Sequence, residues 1–207
     1  MLRSWLIFLL ASLMLGSAAD AQIGGERRMD VQLRLESPKV APGGSVALAF
    51  VMKPKAGWHG YWQNPGDAGV ANRPEWRMPP GWSAEPLSYP VPTRLIVAGL
   101  MNYVYERDHA LLTRIRVPAD AQPGKTVPIA VRLDYLVCTD EVCVPERAEL
   151  NASIDVAAGA PEARSAEFDA VREALPRPLG AVASFERTGG KLRLAIPLPA
   201  SVEVADP

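Results

Sequence analysis

Two cysteines, Cys138 and Cys143, are the residues of this chain whose type and spacing most clearly permit chemistry. They are the only cysteines among the 207 residues, and their segment reads Tyr-Leu-Val-Cys-Thr-Asp-Glu-Val-Cys-Val-Pro-Glu. In an oxidising compartment, a closely spaced pair of this kind is either a small structural disulfide or a redox-active dithiol. The interpretation of function therefore depends on which of the two this pair is.

Residue chemistry alone leaves both alternatives open. In the chain-entropy description, a disulfide that closes a loop of about six residues stabilises the fold by about 2 kcal/mol, the low end for a structural bond. Asp140, Glu141 and Glu146 lie between or beside the cysteines, and the nearest basic residues in sequence are Arg132 and Arg147. Because local negative charge disfavours a thiolate, we expect raised thiol pKa values and a slow attacker. Such a pair needs a partner with a more reactive thiolate, or a shield that opens on docking.

The N-terminus has the features of an export signal, and export would place the two cysteines in an oxidising compartment. Arg3 supplies a short positive region, residues 5–15 are almost wholly apolar, and Ala19-Asp-Ala21 has the small-x-small pattern of a signal-peptidase site. This apolar run is shorter than the roughly 20 residues that a spanning helix needs. We therefore expect residues 1–21 to be a signal peptide, and the mature protein to be periplasmic.

The rest of the chain predicts an all-β fold. Its 20 prolines all follow position 37 and separate short apolar runs, which is typical of a β domain with many turns. The segments with the alternation or apolar content of strands are 31–36, 45–52, 111–117, 127–137 and 144–156. This spacing predicts an immunoglobulin-like β-sandwich with both cysteines at the mouth of one hairpin. Residues 57–101 are expected to form a long, semi-regular excursion packed by its own aromatic side chains.

A composition change near residues 157–161 predicts a domain boundary. We expect a first domain over residues 22–156, a linker over 157–164, and a partial second domain over 165–207. In the last of these, residues 165–175 have helical spacing, and 181–186 and 191–198 resemble a hairpin that turns at Gly189-Gly190. Two strands do not bury a core alone, so this region looks like the start of a second β domain in a longer protein.

Other chemistries find less support. The net charge of −1, without a basic stripe, argues against nucleic-acid binding. His59 and His109 lie in no hydrolase or zinc-protease motif and are expected to be surface or structural residues. A copper(I) site built from the two cysteines and Met101 is chemically possible, although C-x4-C is not a recognised metal-binding spacing. We predict no bound cofactor and no resident metal.

Two blocks of the sequence resemble a known protein family. The first is Trp58-His-Gly-Tyr-Trp-Gln-Asn-Pro-Gly-Asp67, followed by Trp76, Pro79-Pro-Gly81 and the Tyr89-Pro90 region. The second is the cysteine segment with its Cys-Val-Pro-Glu ending. Together they resemble the N-terminal periplasmic domain of the thiol:disulfide interchange protein DsbD, in the branch that includes the copper-sensitivity suppressor ScsB. The resemblance covers roughly residues 30–156.

The resemblance implies an immunoglobulin-like domain that is part of a protein-disulfide reductase. Its cysteine pair would take electrons from a thioredoxin-like domain supplied through a membrane domain, and would reduce periplasmic partners such as disulfide isomerases or cytochrome c maturation proteins. Carried over by position, Cys138 and Cys143 are the redox couple. Cys143 would be the attacking thiol, and Cys138 would resolve the mixed disulfide.

The chain departs from the DsbD pattern in two respects. DsbD has five residues between its cysteines, whereas this chain has four. The membrane and thioredoxin-like domains are absent from these 207 residues, so the chain would connect to a membrane only through further domains. DsbD-type members also shield the pair with a cap loop, and residues 96–106, with Tyr103 and Tyr105, are expected to serve as that cap here. The open alternatives are a non-enzymatic binding module with a structural disulfide and a copper-handling domain.

Overall fold

The computed structural model describes residues 26–160 and 164–200. The expected signal peptide at 1–21 therefore lies outside the described residues, as do positions 161–163 of the expected linker and 201–207. The described parts contain thirteen strands and one helix: β1 Met29–Leu35, β2 Lys39–Val40, β3 Ser45–Pro54, β4 Gly60–Gly66, β5 Arg73–Arg77, β6 Ser83–Ala84, β7 Thr93–Val97, β8 Leu100–Tyr105, β9 His109–Arg116, β10 Thr126–Cys138, β11 Cys143–Val156, α1 Ala166–Glu173, β12 Ser184–Thr188 and β13 Lys191–Ala195. Within them, α1 is far too short and polar to cross a bilayer.

Two four-stranded sheets face each other and form a β-sandwich. The first has the strand order β1-β3-β9-β6, and the second has the order β2-β11-β10-β5. Neighbouring strands are antiparallel except for β2 and β11, which are parallel. The immunoglobulin-like β-sandwich predicted from the sequence is confirmed, and the five predicted strand segments correspond to β1, β3, β9, β10 and β11.

The period-two pattern of the strands creates the core between the sheets. On β10, Val131, Leu133, Tyr135 and Val137 are all buried and point into the sandwich. Phe50 and Met52 of β3, with residues of β1 and β9, meet them from the opposite sheet. Since successive side chains of a strand point to opposite faces, Leu136 and Cys138 of β10 must lie on the outer face of the second sheet.

The outer face of the first sheet is covered by α1. Phe168 of this helix is 1 % exposed and packs against Ala47 and Ala49 of β3 and Leu112 of β9. The helix begins at Ser165, whose Oγ accepts a hydrogen bond from the Phe168 amide. Because both faces of β3 are therefore buried, its sequence is a continuous apolar run rather than an alternating one.

The stretch from residue 57 to 101 is more regular than predicted. It contributes β5 to the second sheet, β6 to the first, and β4 and β7 to a third sheet of order β4-β8-β7. Its tryptophans pack against the two clusters of the sandwich core. The strands of this region pair with β8, β9 and β10, which come later in the chain. These pairings override the local turn signals, and the local sequence therefore suggested irregular structure.

The last described strands, β12 and β13, form a hairpin whose residues are all exposed. It turns at Gly189 and Gly190, which have φ values of 57° and 77°, the left-handed conformation that a two-residue hairpin turn requires and glycine adopts readily. The division of the chain into domains at 157–164 stays a prediction.

The packing of α1 yields a testable expectation. Phe168→Ala should lower the free energy of unfolding by about 3 kcal/mol, because it empties a buried aromatic site against the sheet. Phe185→Ala is the matched control, since Phe185 is 76 % exposed, and should change it by less than about 0.5 kcal/mol. Both are measured by denaturant unfolding. Equal, small effects would show that the helix is not docked on the sheet.

Candidate functional site

The two cysteines form a disulfide at the turn end of the β10–β11 hairpin. They occupy directly opposite positions, with 4.1 Å between their Cα atoms. The four residues between them make a tight turn in which the Thr139 amide donates to the Val142 carbonyl at 2.8 Å. The Thr139 hydroxyl also accepts hydrogen bonds from the amides of Glu141 and Val142, at 3.2 and 3.1 Å. This turn holds the ends of the two strands in register.

The backbone of Cys138 is engaged on its other side by His59. The His59 amide donates to the Cys138 carbonyl at 2.9 Å, and the Cys138 amide donates to the His59 carbonyl at 3.0 Å. Toward Cys143, Cys138 is thus in a non-hydrogen-bonded position, where opposite side chains of antiparallel strands come closest. The spacing of four residues and the strand pairing together bring the two sulfur atoms into bonding contact.

Cys138 is buried by the third sheet and not by the sandwich core. It is 1 % exposed and clusters with Tyr61 of β4 and Val104 of β8, with Leu95 and Leu136 packed beside them. Tyr61 fits there because of a glycine: a Cβ atom at Gly69, which has a φ of 95°, would lie 2.3 Å from the Tyr61 ring. The third sheet thus gives the outer face of β10 a small apolar cluster of its own.

Cys143, in contrast, is exposed, as are Asp140, Glu141 and Val142 of the turn. The disulfide therefore joins one sulfur in an apolar cluster to one at the surface. An incoming thiolate or disulfide has access to the exposed sulfur, while the buried one is accessible only through its partner. This asymmetry is the main chemical property of the site.

An open groove lies beside the turn and has an acidic lining. Its residues come from three separate parts of the chain: Gly57, Trp58, His59, Glu106, Thr139, Asp140 and Glu141. The acidic surroundings expected from the sequence therefore include Glu106, which is distant in sequence.

Glu146 was expected to disfavour a thiolate at the cysteines, but its carboxylate is paired with Arg28 and Tyr135. One of its oxygens accepts the Arg28 amide at 2.8 Å and lies 3.8 Å from the Arg28 guanidinium, and the other accepts the Tyr135 hydroxyl at 3.2 Å. Its charge is thus neutralised inside the sandwich. Arg132 and Arg147 both pair with Asp134. The carboxylates that line the groove beside the turn are those of Asp140, Glu141 and Glu106.

The two histidines have different surroundings. His59 is 4 % exposed, its ring packs edge-on against Tyr61, and its Nε2 lies 3.4 Å from the Tyr61 hydroxyl. Burial lowers its pKa, and the carboxylates of Glu106 and Asp140 oppose this shift. His109 stacks on Tyr105, with ring centroids 4.1 Å apart, and burial lowers its pKa to about 4. From the sequence, both histidines were expected to be surface or structural residues. The backbone pairing of His59 with Cys138 was not predicted, because no local sequence signal indicates it.

The expected cap segment, residues 96–106, contains the end of β7, the turn, the whole of β8 and Glu106. Of its tyrosines, Tyr103 packs edge-on against Trp62, and the Tyr105 hydroxyl donates to the Pro90 carbonyl at 2.7 Å. The residues of this hairpin that contact the Cys138 cluster are Leu95 and Val104. The hairpin therefore covers Cys138 and leaves Cys143 exposed.

The arrangement gives little support to a copper site that includes Met101. Met101 and Val104 are three positions apart on β8, so their side chains point to opposite faces of the strand. Val104 is the one that contacts Cys138. Among the described residues, no group of three or more His, Cys, Asp or Glu side chains could hold a metal ion.

The fold and the site define a class: an immunoglobulin-like domain with a hairpin disulfide that has one exposed sulfur. Residues 31–154 match the family described as the thiol:disulfide interchange protein DsbD, N-terminal. The chain belongs to this family, and the resemblance seen in the sequence is confirmed. Family membership and the disulfide pair together support a thiol–disulfide exchange domain.

One solved structure agrees with this fold, and a second is reported for comparison. The N-terminal periplasmic domain of ScsB from Proteus mirabilis is 19% identical with a TM-score of 0.59, and the match covers 82% of this chain and 64% of that chain. The chain thus spans somewhat less than two thirds of that domain. The reduced DsbD N-terminal domain of Neisseria meningitidis is 15% identical with a TM-score of 0.33, covering 60% of this chain and 85% of that chain. No curated protein sequence matches the chain.

The unequal exposure of the cysteines predicts unequal reactivity. In the reduced protein, iodoacetamide should alkylate Cys143 at least about ten times faster than Cys138, because alkylation requires an accessible thiolate. Peptide mass spectrometry after timed quenching measures the two rates. In concentrated guanidinium chloride, the rates should become similar. Equal rates in the folded protein would contradict the burial of Cys138.

Proposed function

We propose that this chain is a periplasmic relay module that passes electrons between thioredoxin-like proteins through the Cys138–Cys143 dithiol and disulfide. The observation that carries the proposal is the asymmetry of the bond, with Cys143 exposed at the end of β11 and Cys138 buried behind it. Exchange proteins react through one accessible sulfur and close the cycle with a second. Family membership supports the same reaction.

In this mechanism, Cys143 makes and breaks every bond to a partner. Its thiolate attacks a disulfide of the substrate protein, forms a mixed disulfide, and releases one substrate thiolate. Cys138 then attacks the Cys143 sulfur, re-forms the internal disulfide, and releases the second substrate thiolate. Two electrons pass to the substrate. The internal bond is reduced again when a donor thiolate attacks Cys143 and Cys138 leaves.

The proposed donor is a thioredoxin-like domain, and the proposed acceptors are periplasmic disulfide isomerases or other thioredoxin-like proteins, including those of cytochrome c maturation. Export through a signal peptide at residues 1–21 is part of the same proposal. The membrane contribution would come from further domains. The chain itself would be the soluble intermediate of a protein-disulfide reductase.

A structural disulfide is the second candidate, and one observation bears on it. The hairpin already has extensive pairing along β10 and β11, and the sandwich core is filled by large side chains. A bond closing so short a loop adds only about 2 kcal/mol to such a fold. Stability therefore gives little reason for the bond.

Matched cysteine variants separate the two candidates. The reduced wild-type chain is mixed with an oxidised thioredoxin-fold protein, quenched with acid, and analysed on non-reducing gels after alkylation. We expect the wild type to reduce the partner, Cys138→Ala to accumulate a one-to-one mixed disulfide, and Cys143→Ala to do neither. Both variants should remain folded and lose about 2 kcal/mol of stability relative to the oxidised wild type. If the fully reduced wild type transfers no electrons, the relay proposal is wrong.

A further inference from the structure

The buried position of Cys138 creates a chemical problem for the proposed reaction. Cys138 must become a thiolate to resolve the mixed disulfide, yet its surroundings are Tyr61, Val104, Leu95 and Leu136. An apolar environment disfavours the thiolate and raises the pKa of a thiol. The nearby carboxylates of the turn and Glu106 disfavour a thiolate as well. A group that accepts the proton next to Cys138 would remove this obstacle.

The strand pairing places a histidine beside Cys138. His59 and Cys138 are directly opposite residues of an antiparallel bridge and exchange both backbone hydrogen bonds. Opposite residues of such a pair have their side chains on the same face, with Cβ atoms about 5 Å apart. Cys143 is opposite Cys138 on its other side. His59, Cys138 and Cys143 therefore form a row across three strands, with Cys138 in the middle.

We propose that His59 accepts the proton of Cys138 when that cysteine resolves the mixed disulfide, and returns a proton to it when Cys138 is the leaving group. This inference rests on the proposed function and adds a proton-transfer residue to it. The two residues share one face of the paired strands, the placement that proton transfer between their side chains requires.

The step balances in protons and electrons. The Cys138 S–H bond breaks and its proton moves to His59. The thiolate then attacks the Cys143 sulfur, so that the Cys138–Cys143 bond forms, the bond from Cys143 to the partner breaks, and the partner leaves as a thiolate with the electron pair. The proton on His59 passes to solvent or to that thiolate. In the reverse direction, a donor thiolate attacks Cys143, and His59 protonates the departing Cys138.

The surroundings of His59 suit this role at neutral pH. The groups that face it are the Tyr61 hydroxyl on its own strand, Glu106 after β8, and Asp140 and Glu141 in the turn. Burial keeps the imidazole neutral, so that its free nitrogen is able to accept a proton. The carboxylates of Glu106 and Asp140, which partly oppose this lowering of the pKa, stabilise the imidazolium once it has formed.

The test uses the reduced chain and 5,5′-dithiobis(2-nitrobenzoate) in a stopped-flow spectrometer. Cys143 attacks the reagent and releases one thionitrobenzoate; Cys138 then resolves the mixed disulfide and releases a second one in a unimolecular phase. His59→Gln should slow this second phase by about 100-fold at pH 7 and move its pH dependence upward, because general-base catalysis is lost. The first phase should change less than about twofold. His109→Gln, the matched control at the other buried histidine, should leave both phases unchanged.

Two results would each overturn one claim: the role of His59 or the relay function. A second phase in His59→Gln with the wild-type rate and pH profile rejects His59 while leaving the relay intact. A wild-type chain that releases only one thionitrobenzoate rejects the relay itself.

A second measurement needs no substitution of the histidine. In reduced Cys143→Ala, nuclear magnetic resonance titration of the His59 ring should show an inflection where the Cys138 thiol ionises, and Cys138→Ala should lack it. His109 serves as the internal reference. A His59 titration that is identical in the two variants contradicts the proposed coupling, even if His59→Gln does not fold.

Discussion

The site depends on the two-residue period of β10. Its odd-numbered residues from Val131 to Val137 fill the sandwich core, so that Cys138, the next residue, must point out of the opposite face. At that end of the strand the sandwich offers no cover. The third sheet supplies it, with Tyr61 and Val104 against the sulfur and His59 on the free edge of the strand. Without this sheet, both sulfurs would be exposed and the pair would lose its asymmetry.

The asymmetry connects the fold to the chemistry. In the proposed relay, the exposed Cys143 reacts first and the buried Cys138 reacts only after a partner is attached. The same burial makes ionisation of Cys138 unfavourable, which is why a neighbouring base matters. The acidic turn and Glu106 add a second effect, since negative charge disfavours a free thiolate.

Sequence reasoning identified the sandwich, its longest strands and the cysteine hairpin, because alternation and the short spacing are local signals. It failed where contacts depend on distant segments. The strands between residues 57 and 101 pair with β8, β9 and β10, and their turn residues hid that pairing. The contact of His59 with Cys138 and the neutralisation of Glu146 by Arg28 also join residues far apart in the chain. Likewise, the Tyr105 hydroxyl, in the segment expected to cap the disulfide, donates to the Pro90 carbonyl in a packing that its local sequence does not show.

The reduction potential of the Cys138–Cys143 bond tests the central claim most directly. The purified chain is equilibrated against defined thiol buffers, and the oxidised fraction is measured by alkylation and mass spectrometry. We expect a potential between about −180 and −270 mV, the range of proteins that exchange electrons with thioredoxin-like partners. A value below about −300 mV would mark the bond as structural and contradict the relay.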